Sequence, residues 1–296
     1  MDERSGLYEL HERPTLDHPV LVLAPEGWID AGLGGGGALA LLQKEIPTEL
    51  VATFDTDELL DYRARRPVSV IIDGVYEDLG WHTIELRAGH DGNGQDVLVL
   101  AGPEPDRRWK AYADAVGELA VMFDVRMMVG LGAFPAPVPH TRTPALVSSA
   151  TTSDLANTVG VIAGRIQAPA GVLAAIERRF AALSIPAIGL WARVPHYAAT
   201  MPYPEASVLL LEGLAKVASV HVDTTAMREA ADDVRRKLDE LTANSTQHTS
   251  LVRQLEGQYD AQVSVDDVAV AGGWANLPTG DELAAELEKY LREEGL

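Results

Sequence analysis

An apolar tetrapeptide, Val20-Leu-Val-Leu23, runs through Ala-Pro-Glu-Gly-Trp-Ile-Asp into Ala31-Gly-Leu-Gly-Gly-Gly-Gly37, and this junction constrains the chain more than any other segment. A buried strand that feeds a glycine-rich turn at the head of a helix is a βα unit, and in α/β proteins such junctions are where ligands or partners bind. Asp30 stands where its side chain can cap the helix. Glycines at 32 and 34–37 strip the β-carbons from its first turns, so backbone, a cofactor or a second chain can come close.

The rest of the pattern extends this unit. Short apolar runs at 20–24, 50–54, 68–72, 97–101, 127–132 and 185–190 predict strands, most of them buried on both faces. Helical periodicity falls between them at 31–44, 107–123, 172–183 and 205–217. Strands that alternate with helices predict an α/β domain with a parallel sheet covered on both sides. Residues 81–86, next to the turn-rich 89–94, predict an antiparallel strand or hairpin. With 296 residues and 47% hydrophobic content, the chain can bury a large core.

From Asp223 the character changes. Met227, Ala231, Val234, Leu238 and Leu241 recur at alternating four- and three-residue spacing, a short heptad stripe on a charged helix. Thr279 and Glu282 fit a capping box that starts a last helix carrying Leu283, Leu287 and Leu291 on one face. The predicted organisation is an α/β core over 1–222 and a helical, acidic extension over 223–296 that packs on it.

Charge and composition remove several functions. A net charge of −20 and an isoelectric point near 4.7 argue against nucleic acid or an anionic membrane as partner. Residues 223–296 carry 16 acidic and 7 basic side chains, so the extension is a solvated face or a surface for a protein partner. Without cysteine there can be no disulfide, Cys-ligated zinc, iron–sulfur cluster or thiol nucleophile. Residues 1–14 lack a signal-peptide core and no window is apolar enough to span a membrane, so a cytoplasmic protein is expected.

Phosphate-loop, nucleophile-elbow and zinc-protease motifs are absent. Gly32-Leu-Gly34-Gly-Gly-Gly37 formally fits a dinucleotide fingerprint, with Asp55 or Asp57 about twenty residues on as the ribose acid. Yet Pro25 to Ala31 separate strand from first glycine, so close packing on the sheet or on a neighbouring subunit is the expected use. No cofactor and no metal is called for.

Three polar groups remain. The proline-stiffened loop 131–144 projects His140, able to shuttle a proton, and Arg142, able to clamp a carboxylate or phosphate unless a local acid already holds it. The segment 191–204 carries His196 and Tyr197, facing a crevice shared with His140 or a subunit interface. Asp73, Glu77 and Asp78 near Trp81 and His82 form an acid/base group or a solvated turn. The ligand-binding candidates are therefore Gly27, Trp28, Asp30, Gly32, His140, Arg142, His196 and Tyr197.

Taken in order, Gly27-Trp-Ile-Asp-Ala-Gly32, Leu60-Asp-Tyr-Arg-Ala-Arg-Arg-Pro67, Pro139-His-Thr-Arg142, Pro195-His-Tyr197 and Pro202-Tyr-Pro-Glu-Ala206 resemble the proteasome assembly chaperone 2 family, in particular its actinobacterial branch. The resemblance implies a three-layer α/β/α domain, similar to the phosphorylase/hydrolase-like fold, with a helical C-terminal extension and assembly into homo-oligomers, trimers above all. Archaeal members carry a C-terminal docking tyrosine; here Gly295 stands at that place in Arg292-Glu-Glu-Gly-Leu296. Two functions follow as expectations. One is a non-catalytic, assembly-chaperone-like protein with a protein partner. The other is a small-molecule binder or enzyme for an anionic or nucleoside-like ligand, with Arg142 orienting the anion and His140 as acid/base.

Overall fold

The computed structural model describes residues 3–27, 29–162 and 164–266. The chain begins with β1 (Glu3–Ser5), β2 (Tyr8–Leu10) and β3 (Val20–Leu23), followed by α1 (Gly34–Glu45), β4 (Thr48–Phe54) and the single turn α2 (Thr56–Leu59). A hairpin of β5 (Val68–Ile72) and β6 (Val75–Gly80) precedes β7 (Glu85–His90), β8 (Asp96–Ala101), α3 (Trp109–Met122) and β9 (Met127–Ala136). Then come β10 (Leu146–Ala150), α4 (Ser153–Asn157), α5 (Val172–Ala182), β11 (Ala187–Pro195) and α6 (Pro204–Ala218). The described chain ends in two long helices, α7 (Thr225–Ala243) and α8 (Thr246–Asp266).

Nine strands form one sheet in the order β1-β2-β4-β7-β8-β3-β9-β11-β10. Its centre is parallel: β3 lies between β8 and β9, and β9 pairs with β11 over nine residues from Ala187–Met128 to Pro195–Ala136. These are the near-continuous apolar runs, buried on both faces as a parallel strand between helices must be. Antiparallel strands flank that centre, β7, β4, β2 and β1 on one side and β10 on the other.

Helices cover both faces. On one, Phe180 and Ile176 of α5 and Leu119 of α3 pack on Leu21, Leu98 and Met128. On the other, Leu39 and Leu42 of α1 and Leu210 and Leu214 of α6 pack on Val20, Val22, Val129 and Ile188. The α/β class and the helical C-terminal part thus hold. The heptad stripe turns Ala231 and Leu238 of α7 into buried contacts over α6, but leaves Leu241 exposed.

Two expectations change. Residues 68–72 do not join the main sheet; they pair with β6 as a separate two-stranded hairpin whose residues are all exposed. An uncharged run rich in β-branched residues, Val-Ser-Val-Ile-Ile, says strand but cannot say which sheet. The strand expected within 81–86 begins at Glu85 and pairs antiparallel with both β4 and β8. The capping box at Thr279 and Glu282 lies outside the described residues, as does Trp28.

Candidate functional site

Past β3 the chain makes a single 3-10 turn, Ala31–Leu33, and only then enters α1. Asp30 caps the helix from outside: Oδ1 accepts the Gly35 N–H at 2.7 Å and Oδ2 the Gly36 N–H at 2.9 Å. Burial pushes the Asp30 carboxyl above its usual range, against the downward pull of those amides. The glycines serve packing. A Cβ on Gly34 would lie 2.7 Å from the Ala133 Cβ, and one on Gly35 would lie 2.7 Å from the Leu131 carbonyl oxygen. Gly32 has φ of 64°, donates its N–H to Ala199 O and accepts from Tyr203 N, which joins the junction to the segment after β11. Asp55, the would-be ribose acid, instead caps α2 by accepting from the Asp57 and Glu58 amides.

His140 and Tyr197 meet. The Tyr197 hydroxyl accepts the His140 backbone N–H at 2.8 Å and lies 2.7 Å from Nδ1, while Nε2 lies 3.3 Å from Asp239 Oδ1 of α7. A carboxylate only accepts, so Nε2 carries the proton and Nδ1 takes a hydrogen bond from the tyrosine. The imidazole is fully buried. Burial depresses its pKa, opposed by Asp239 and Glu256, and burial pushes the Tyr197 hydroxyl up to about 12. His196 stacks edge-on against Tyr197.

Arg142 is held from α8. Its Nε and Nη2 donate to the two oxygens of Asp260 at 2.9 Å each, and Nη1 reaches Glu256 at 3.2 Å. These bonds raise the Arg142 pKa and lower that of Asp260. Thr141 Oγ1 donates to the same Glu256, and the Tyr259 hydroxyl donates to Thr143 O. The loop after β9 is thus strapped to α7 and α8 by side chains that the sequence put forward as ligand-binding.

A wide cavity lies elsewhere. A cleft of 470 Å³ opens beside Leu131–Phe134 of β9, Trp191 of β11 and Val147–Ser149 of β10, beneath the segment that leads into α5. Its walls are apolar, with Ile29, Phe134, Ile162, Ile166, Leu173 and Trp191, and two carboxylates, Glu104 and Glu177, face in among them. Glu104 is buried, and its Oε1 accepts the Val172 N–H at the head of α5. Glu177 Oε1 accepts from Ser149 Oγ at 2.9 Å, and Ser149 in turn accepts from Trp191 Nε1 at 3.3 Å. Burial drives the Glu177 carboxyl up to about 7.

The single crevice expected from Gly27, His140, Arg142 and His196 is therefore divided. Gly27 lines the large cleft, where a Cβ would strike Glu104, while His140 and Arg142 line a separate cavity of 80 Å³ and His196 lines neither. Asp73 sits at the tip of the exposed hairpin and Asp78 folds back on its own chain to accept the Leu79 N–H, so that group is a solvated turn. Sequence reasoning missed Glu104 and Glu177; Glu177 falls on an amphipathic helix, where one acid among Arg178 and Arg179 looks like surface. Among the described residues no cluster suits a metal ion and no helix is long and apolar enough to cross a membrane.

Solved structures match the whole arrangement. A Mycobacterium tuberculosis protein of unknown function aligns with TM-score 0.82 at 36% identity, over 90% of this chain and 92% of its own. A Corynebacterium glutamicum protein of unknown function gives 0.81 at 31%, over 87% and 98%. A Mycobacterium tuberculosis proteasome-assembly chaperone homologue gives 0.73 at 30%, over 79% and 99%. No curated protein matches. Residues 24–242, which run from the end of β3 almost to the end of α7, match the PAC2 family, and the chain belongs to that family.

Proposed function

We propose that this PAC2 family member is a non-catalytic, assembly-chaperone-like interaction protein that works as a homo-oligomer, a trimer being the form the resemblance favours, with copies meeting at the β5–β6 hairpin. The hairpin carries the reading. Val68, Val75 and Tyr76 are 68%, 60% and 75% exposed, and Ile71, Ile72 and Trp81 are more than half exposed as well. A free two-stranded hairpin is marginal in water, so it calls for a cover. For a second copy, the uncharged 68–72 strand is where two molecules at −20 can meet with least repulsion. The likeness to a proteasome-assembly chaperone homologue supports a role in bringing subunits together.

Native mass spectrometry of the protein and of Ile71→Asp/Tyr76→Asp tests this. A trimer reduced to a folded monomer by the substitutions is the expected result. A monomeric parent protein, or a trimer indifferent to them, overturns it.

The 470 Å³ cleft favours a second reading, a small-molecule binding protein, because its size and apolar walls are those of ligand sites.

A further inference from the structure

We propose that the cleft between β9, β11 and α5 binds a small organic cation, an ammonium group on an apolar body, with Glu177 as its counter-ion. This rests on the small-molecule reading of the cleft and names its ligand class.

Three features that could have drawn an anion are already engaged from within the chain. The amides at the head of α1 are taken by Asp30, that at the head of α5 by Glu104, and the fork of Arg142 by Asp260 and Glu256. What the cleft offers instead is negative. Ser149 is the one hydrogen-bond partner of the Glu177 side chain among the described residues, and it engages Oε1 alone, leaving Oε2 for a ligand. Glu104 adds a second carboxylate to the same lining, and among the described residues no Lys, Arg or His lines the cleft. Phe134, Ile162, Ile166 and Trp191 form an apolar chamber around these acids, and the volume of 470 Å³ lies within the range of small-molecule sites. A carboxylate in apolar surroundings pays a desolvation cost that an ammonium partner removes, and an aromatic face such as Trp191 also attracts a cation. The apolar walls select a cation with a hydrocarbon or aryl body over a hydrated metal ion, which needs several oxygen ligands.

The probes are benzylamine, benzyl alcohol and phenylacetate, which share an aryl group and differ in charge. Binding is read by saturation-transfer NMR and calorimetry at about pH 8, where Glu177 is ionised and the amine protonated. Benzylamine is expected to bind at least about 10-fold more tightly than the other two, and Glu177→Gln, which keeps the acceptor for Ser149, to erase that preference. Benzylamine binding unchanged in Glu177→Gln overturns the counter-ion. Equal or tighter binding of the alcohol or phenylacetate leaves a ligand site but overturns the cation. Ile166→Trp, at a 41% exposed position on the wall, should weaken all three probes by filling the cleft. If none of the three binds the parent protein, the proposal and the small-molecule reading fall together.

Discussion

His140 Nε2 stands 3.3 Å from Asp239 Oδ1, and this contact ties the loop after β9 to α7 across 99 residues of sequence. On the far side of the ring the Tyr197 hydroxyl serves both Nδ1 and the His140 backbone N–H. One tyrosine oxygen thus holds the imidazole in the tautomer that points its proton at α7. His140, the acid/base candidate of the sequence, joins the core to the C-terminal helices through these contacts.

Tyr197→Phe should show this directly. The substitution keeps the ring and its edge contact with His196 but leaves two buried polar groups of His140 without a partner. A loss of about 1–3 kcal/mol is expected in urea denaturation. A loss below about 0.5 kcal/mol would mean that the hydroxyl is not the fastening described.

Arg142 fastens α8 in a more exposed way. Its bonds to Asp260 and Glu256 are partly open to solvent, so they should matter locally more than globally. Arg142→Gln is expected to speed hydrogen exchange across residues 246–261 while the central strands keep their protection. Salt near 1 M should reproduce part of the effect in the parent protein by screening the pairs. Uniform faster exchange through β3 and β9 would contradict a local strap.

The glycine run separates into positions that need glycine and positions that do not. Gly35 lies against backbone, where an added Cβ would stand 2.7 Å from Leu131 O, whereas at Gly36 the nearest atom is Asp30 Oδ2 at 3.3 Å. Gly35→Ala should cost about 1–3 kcal/mol through forced separation of α1 from β9. Gly36→Ala should cost less than about 1 kcal/mol, because better helix propensity offsets a small shift of one side chain. Thermal unfolding of the two variants gives the order, and the reverse order would refute the packing account.

How far the sequence speaks depends on the range of the signal. Val20–Leu23, Asp96–Ala101 and Met127–Ala136 announce a buried parallel centre because their apolar runs are local, and Asp30 announces a cap because a cap needs only a few residues. The hairpin at Val68 reads as a core strand since composition does not record which face is covered. Arg142 cannot reveal Asp260 as its partner, 118 residues away, and Glu177 reads as surface because its burial is made by Ser149 and Trp191 on two other strands. Contacts between distant segments decide what each polar group is free to do, and a single sequence carries no trace of them.

The last expectation concerns pH. Glu177 rises to about 7 in the folded protein from an ordinary value of 4.5, so between these limits the folded state binds a proton that the unfolded state has released. Its contribution is therefore full below about pH 4.5 and lost as pH rises through about 7, to a total of about 3 kcal/mol. His140 acts in the opposite sense: its pKa is depressed by burial, so its contribution is present above the ordinary histidine range and lost on acidification. The groups facing Glu177 are Ser149 of β10 and Trp191 of β11, neither of which titrates here, with Glu104 across the same cleft. Comparing the parent protein with Glu177→Gln at each pH cancels the histidine and isolates the glutamate. The stability difference between the two should fall in the parent's disfavour from about pH 5 to pH 8. A difference independent of pH over that window would show that the Glu177 carboxyl is solvated, and the cleft wetter than its apolar lining implies.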